Sequence, residues 1–134
     1  LVFDNNVADV HNHIPYNIGP LKGKTTNDHL IGMSNIVLYI YEKGLHRKWE
    51  TVKDFMNTLK ALNTLIPVTV AMNSNKVFKK GWQFDSDNID DCIKWNNKLK
   101  SVGVTELVCN KTGEVKSVDI VWGEWYTVNK EYLL

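Results

Sequence analysis

The sequence predicts an α+β fold in which two helices pack on one face of an antiparallel sheet. Two observations lead to this prediction. Apolar residues recur at helical spacing in two separate stretches, and each stretch is followed by two short β-branched or aromatic runs around a turn. An antiparallel sheet readily buries one face under helices. We therefore expect one domain over residues 1–134, built from two helix–hairpin (αββ) units after an irregular N-terminal arm over residues 1–28.

The N-terminal arm is rich in turn-forming residues. Asparagine, proline and glycine interrupt each short apolar run there. One short strand is expected at residues 7–10, and the polar residues 25–28 offer side chains that cap helices. Residues 29–41 are densely apolar but end in β-branched and aromatic side chains, so helix and strand both remain open for this stretch.

The first αββ unit is predicted over residues 51–84. Thr51 and Asp54 have the spacing of a capping box, and the apolar residues that follow repeat with a helical period as far as Leu62. Pro67 is expected to end this helix. Two strands joined by a turn complete the unit, at residues 68–72 and 77–84.

The second αββ unit is predicted over residues 87–122. Ser86 is placed to cap its helix and Gly103 to end it. The hairpin strands are expected at residues 104–109 and 114–122, with a turn between them.

Two further features concern the second unit and the residues after it. Sliding the chain by 37 residues aligns the two units, which fits either an internal duplication or two amphipathic helices whose periods agree by chance. A last strand at residues 124–128 is expected after a hinge at Gly123.

The composition is that of an ordinary globular domain. Hydrophobic residues make up 43% of the chain and charged residues 23%, which excludes disordered and fibrous classes. The net charge of +1 lacks the basic excess of a dedicated nucleic-acid binder. No apolar run approaches the roughly twenty residues of a membrane-spanning helix, and no signal-peptide pattern opens the chain, so we expect a cytoplasmic protein that does not enter membranes.

Histidines near the N-terminus are the candidate catalytic and metal-ligating residues. The string Asp9-Val-His11-Asn-His13 resembles the Asp-x-His-x-His motif of amidohydrolases, but that family needs a barrel about twice this length. As an alternative, His11, His13 and His29 form a smaller metal site or the acid and base of a compact nuclease or toxin-like hydrolase. The favoured interpretation is that they are solvated or capping side chains, with no metal or other cofactor bound.

A second candidate site mixes basic and aromatic side chains. Arg47, Lys48 and Trp49 adjoin one another, and Lys80 and Trp82 alternate onto one face of a predicted strand. Cations neutralise phosphates while aromatic rings stack on unpaired bases, so this set is typical of a surface that binds single-stranded nucleic acid. Nucleic acid is therefore an alternative partner.

The aromatic residues near the C-terminus favour a protein partner. Trp122 ends one predicted strand, and Trp125 and Tyr126 lie on the next, which is expected to be an edge strand; Trp and Tyr often anchor protein interfaces. No phosphate-binding glycine loop, nucleophile elbow or zinc-type cysteine pair is present, which argues against the common enzyme classes. The sequence thus predicts a small non-enzymatic binding or regulatory domain that acts through a protein partner or its own dimer.

The preference for asparagine over glutamine indicates what kind of genome encodes the chain. Fifteen asparagines stand against one glutamine, and many lysines accompany them. AT-rich coding produces this bias, so we expect the chain to come from a phage, a mobile element or an AT-rich bacterium.

Overall fold

The computed structural model describes residues 13–15, 25–69, 88–101, 103–109 and 112–134. The helices in these ranges are α1 (Met33–Glu42), α2 (Val52–Leu62), α3 (Trp95–Ser101) and α4 (Val118–Asn129). The strands are β1 (His13–Pro15), β2 (Thr25–His29), β3 (Leu65–Thr69), β4 (Glu106–Cys109) and β5 (Val115–Ser117). Short 3₁₀ helices span Leu45–Lys48, Ile89–Ile93 and Lys130–Tyr132. The mixed α+β class is therefore confirmed.

The described strands form two small antiparallel sheets rather than one. In the first, β4 lies between β1 and β5, with Val108 opposite Ile14 on one side and Val115 on the other. In the second, β2 pairs with β3. Segments near the N-terminus thus supply a strand to each sheet, which local sequence patterns do not reveal. The arrangement of two αββ units is not confirmed, and the strand expected at residues 7–10 lies outside the described residues.

Helix α2 begins as the sequence predicts. The Thr51 hydroxyl accepts a hydrogen bond from the Asp54 amide at 3.3 Å, and the Asp54 carboxylate accepts one from the Thr51 amide at 3.2 Å. This capping box satisfies amides that have no partner inside the helix. At the other end the prediction is wrong, because α2 ends at Leu62 and Pro67 lies inside β3. Both strands of a two-stranded sheet are edges, where a proline is tolerated.

The stretch left open between helix and strand is helix α1. The polar residues expected to cap it form β2 instead, and the N-cap is Gly32, which makes no side-chain capping bond. Two adjacent threonines begin β2, and β-branched side chains fit a pleated strand well. The capping interpretation of residues 25–28 is therefore wrong.

The chain after Gly103 departs most from the prediction. Gly103 has a positive φ of 87° and directly follows the α3 region, and Gly113, with a φ of 74°, lies in the β4–β5 turn, as expected. However, β5 ends at Ser117, and the strands expected at residues 114–122 and 124–128 are largely replaced by α4. The hydroxyl of Ser117 caps α4 by accepting a bond from the Ile120 amide. Gly123 lies within this helix and does not act as a hinge.

The second predicted helix is also divided. Ile89–Ile93 forms a 3₁₀ helix and α3 starts only at Trp95. Ser86, its expected cap, lies outside the described residues. Cys92 of the 3₁₀ helix and Trp95 of α3 are both fully buried in the core.

All four α-helices contribute to one buried core. Its largest members are Trp95 from α3, Trp125 from α4 and Tyr39 from α1. Leu62 of α2 and Leu107 of β4 are also buried in this core. Among the described residues, no helix combines the length and the apolar character needed to cross a membrane.

Candidate functional site

The candidate histidines do not form a visible cluster in the described part of the chain. His13 lies in β1 and His29 ends β2, while His11 is outside the described residues. The His29 carbonyl accepts a hydrogen bond from the Lys98 ammonium at 3.2 Å. Within the ranges that the structure describes, no three His, Cys, Asp or Glu side chains are grouped as a metal site would require. The metal and catalytic roles of these histidines stay predictions.

The basic and aromatic candidates lie at the 3₁₀ helix between α1 and α2. Arg47 and Lys48 are exposed. Trp49 is half-buried: its indole N–H donates to the Thr58 hydroxyl at 3.1 Å, and its ring meets Phe55 edge to face at 5.0 Å. Lys80 and Trp82 lie outside the described residues, so the structure does not test whether they join this group.

A small cleft opens beside Lys48 and Trp49. Its volume is about 180 Å³, below the roughly 300–1,000 Å³ of most ligand pockets. The acidic residues Asp54 and Glu131 line it as well. Hydrogen bonds from the Glu50 and Thr51 amides hold the pKa of Asp54 below its usual value, so this group is charged at neutral pH. The cleft therefore combines the cation of Lys48 with acidic residues and is not purely basic.

Trp125 is a core residue and not an exposed edge residue. Its side chain is only 1% exposed. The indole N–H donates to the Thr64 hydroxyl at 2.9 Å, and the ring meets Trp95 edge to face at 5.8 Å. The edge strand proposed for this segment is wrong because α4 turns Trp125 inward with Val121, four residues earlier.

Trp122 and Tyr126 lie beside that core and are partly buried. Their rings stack at 5.1 Å with an angle of 10°, and the Trp122 indole N–H donates to the Ile93 carbonyl at 3.0 Å. These contacts fix both rings against the domain itself. Whether their remaining exposed edges touch a partner stays a prediction.

The most exposed apolar surface that the structure describes is on α1. Met33, Val37 and Tyr41 are spaced four residues apart along the helix and are 61%, 67% and 65% exposed. Leu38 and Ser34 are exposed on the same side. We call these five residues the α1 outer face: Met33, Ser34, Val37, Leu38 and Tyr41. None of them is charged, and Glu42 is the single charged residue of the helix.

The opposite side of α1 anchors the helix to the core. Ile36 and Tyr39 are buried, and the Tyr39 hydroxyl donates to the Leu133 carbonyl at 2.8 Å. Burial raises the pKa of Tyr39 far above its usual value, so the hydroxyl remains a donor at all ordinary pH values. The helix is thus held in one orientation, which fixes the direction of the outer face.

Tyr41 is exposed but is not free to move in all directions. Its ring stacks on the imidazole of His46 with the ring centres 5.8 Å apart and the planes within 9°. His46 belongs to the 3₁₀ helix that follows α1. One face of the tyrosine ring is therefore supported by the domain, and the other is available for contact.

The sequence does not predict the α1 outer face, although its signal, the dense apolar composition of residues 29–41, is present. That composition fits either a helix or a strand, so it assigns no exposed face. In the structure, α1 buries Ile36 and Tyr39 on one side and exposes the α1 outer face on the other.

Cys92 is not placed to act as a nucleophile. The thiol is buried, its Sγ atom lies 3.3 Å from the Asn35 carbonyl, and burial raises its pKa to about 12. A protonated, solvent-excluded thiol is inert.

Comparisons with protein-family models, curated proteins and solved structures find no match to the chain.

Proposed function

We infer that the chain is a small non-enzymatic binding or regulatory domain, that it acts through another protein chain, and that the α1 outer face is its contact surface. The observation that carries this proposal is the exposure of four large apolar side chains on one helix: Met33, Val37, Leu38 and Tyr41. Contiguous exposed apolar patches commonly mark interaction sites, because leaving them in water is costly.

The exposed apolar residues of α4 do not have the same meaning. On α4, Ile120 and Val128 are exposed, but Glu124 lies between them on the same side of the helix and pairs with Lys116 at 3.0 Å. Charges that interrupt a surface in this way keep it hydrated, and scattered surface hydrophobics are normal. The α1 outer face has no such interruption.

The support beneath the α1 outer face also favours binding. The Tyr39 hydroxyl holds the helix against the core through its hydrogen bond to Leu133, and His46 stacks on the ring of Tyr41. Side chains that are ordered before association lose less conformational entropy on binding. Tyrosine is also frequent among residues that contribute most to interface energy.

Site-specific photo-crosslinking in cells tests this proposal. A photoreactive side chain replaces Val37 in one variant and Ile120, the matched exposed helical residue on α4, in the other. We expect covalent adducts with protein at position 37 and few at position 120. An adduct at twice the chain mass identifies a second copy, and any other mass identifies a different protein. Equal or absent adduct formation at both positions would contradict the proposal.

A further inference from the structure

We propose that the protein chain on the α1 outer face is a second copy of this chain, with the two α1 helices packed antiparallel about a two-fold axis. This rests on the proposed function, since it names the partner of the same surface. Two-fold dimers use one patch on both subunits, so the patch must be complementary to itself. The α1 outer face meets this condition in shape and in charge.

The shape is self-complementary when the two-fold axis passes between Val37 and Leu38. Antiparallel pairing then brings Val37 against Leu38 of the partner subunit and Ser34 against Tyr41 of the partner subunit. The second pair joins a small side chain to a large one, which lets two helices approach closely and interdigitate. A parallel arrangement would instead place the two Tyr41 rings against each other and leave the space over Ser34 unfilled.

The charges at the two ends of α1 also complement one another. Gly32 gives no side-chain cap, and the first turn carries no acidic residue, so no residue of α1 itself neutralises the positive end of the helix dipole. Glu42 lies at the opposite end, where a negative charge is unfavourable for its own helix. In the part of the chain that the structure describes, Glu42 makes no ion pair, whereas its neighbour Lys43 is bound to Asp90 at 2.9 Å.

Antiparallel pairing places the unfavourable charge at one end of α1 beside the positive end of the partner subunit's α1. With the axis between residues 37 and 38, Glu42 lies beside the first-turn backbone amides of the partner subunit's α1. An anion at that position is stabilised by the unpaired N–H groups and by the dipole. The symmetry repeats the contact, so each dimer gains it twice. A hetero-partner would have to supply an acid and a base separately.

Sedimentation equilibrium with a charge exchange tests the proposal. We expect the full chain to form a dimer of twice its 15.4 kDa mass at micromolar to millimolar concentrations. Glu42→Lys places a cation beside the partner's positive helix end, and Gly32→Asp places an anion beside Glu42 of the partner subunit. Each single change is expected to weaken the dimer roughly three- to thirty-fold, because the contact occurs twice. The double variant should recover it, since its introduced charges are opposite and adjacent.

The variants are suited to this test because neither change harms α1 itself. An acid at the N-terminus and a base at the C-terminus both favour an isolated helix, and a Cβ added at Gly32 meets nothing closer than 3.7 Å. Additive weakening in the double variant, or a chain that is monomeric throughout, would overturn the antiparallel dimer. If the chain is monomeric but position 37 crosslinks to another protein, the proposed function survives and only the second copy is rejected. If position 37 forms no adducts, both fail.

Discussion

Helices α1 and α4 contain similar proportions of apolar residues but use them differently. Helix α4 directs Trp125, one of its two tryptophans, into the core and exposes Glu124 between two apolar residues. Helix α1 buries Tyr39 on one side, and on the other side it exposes the apolar side chains of the α1 outer face. The difference teaches that an abundance of aromatic residues does not by itself produce an exposed apolar surface. Which residues are exposed depends on which side of the helix packs against the core.

The two helices also differ at their N-termini. Helix α4 begins with Ser117 as a cap at 3.1 Å and with Asp119 in its first turn. Hydrogen bonds from Asn96 and Lys100 hold the pKa of Asp119 below its usual value, so it remains charged at neutral pH. Helix α1 has neither device. The N-terminus of α4 is therefore capped and neutralised within the domain, whereas α1 supplies neither a side-chain cap nor a first-turn acid of its own.

The largest change in the free energy of unfolding is expected from Trp125→Ala in α4. This change removes a buried ring, its contact with Trp95 and its hydrogen bond to Thr64. Truncations of buried aromatic residues cost about 3–5 kcal/mol. We expect a loss of this size in the free energy of unfolding, measured with urea. A loss below about 1 kcal/mol would show that Trp125 is not a core residue and would reopen its role at an interface.

A smaller effect is expected from Ser117→Ala at the start of α4. The change removes the capping bond to the Ile120 amide, and losses of such caps cost about 1 kcal/mol. Urea unfolding at neutral pH measures it. Thr127→Ala is the matched control, because Thr127 is exposed on the same helix and its hydroxyl bonds only the Gly123 carbonyl. Equal losses in the two variants would mean that the cap does not stabilise α4.

Local signals in the sequence predicted the parts of the fold that local chemistry determines. The capping box at Thr51 and the positive-φ position of Gly113 are of this kind. Helix α4 was mistaken for strands because its β-branched and aromatic residues have high strand propensity, which packing around Trp125 overrides. The local signal for the start of this helix is Ser117, a residue type that favours the N-cap position. The pairing of β1 with β4 joins distant segments, and no local pattern encodes it.

The candidate site was harder to predict for a related reason. The apolar density of α1 was visible in the sequence, but its exposed side depends on which residues face the core. Tyr39 decides this, because its hydroxyl reaches Leu133, 94 positions away in the chain. Contacts of such separation are not readable from periodicity alone. The sequence therefore predicted a protein-binding domain but assigned the contact to α4.

The smallest effect on stability is expected from a substitution at Val37. This substitution tests most directly whether the α1 outer face mediates association of the chain. The measurement is the concentration dependence of the urea unfolding midpoint for wild type, Val37→Ser and Ile120→Ser. Dimerisation stabilises the folded state by mass action, so the wild-type midpoint should rise with protein concentration. Ile120→Ser, at a 55% exposed position on α4, should keep this rise.

Val37→Ser should lose the rise, while its stability at the lowest concentration stays within about 0.5 kcal/mol of wild type, as for a surface substitution. That result would mean that the α1 outer face serves association and not folding. Val37→Ser would contradict a role of the α1 outer face in association if it unfolds earlier than wild type even at the lowest concentration, or if it retains the full concentration dependence.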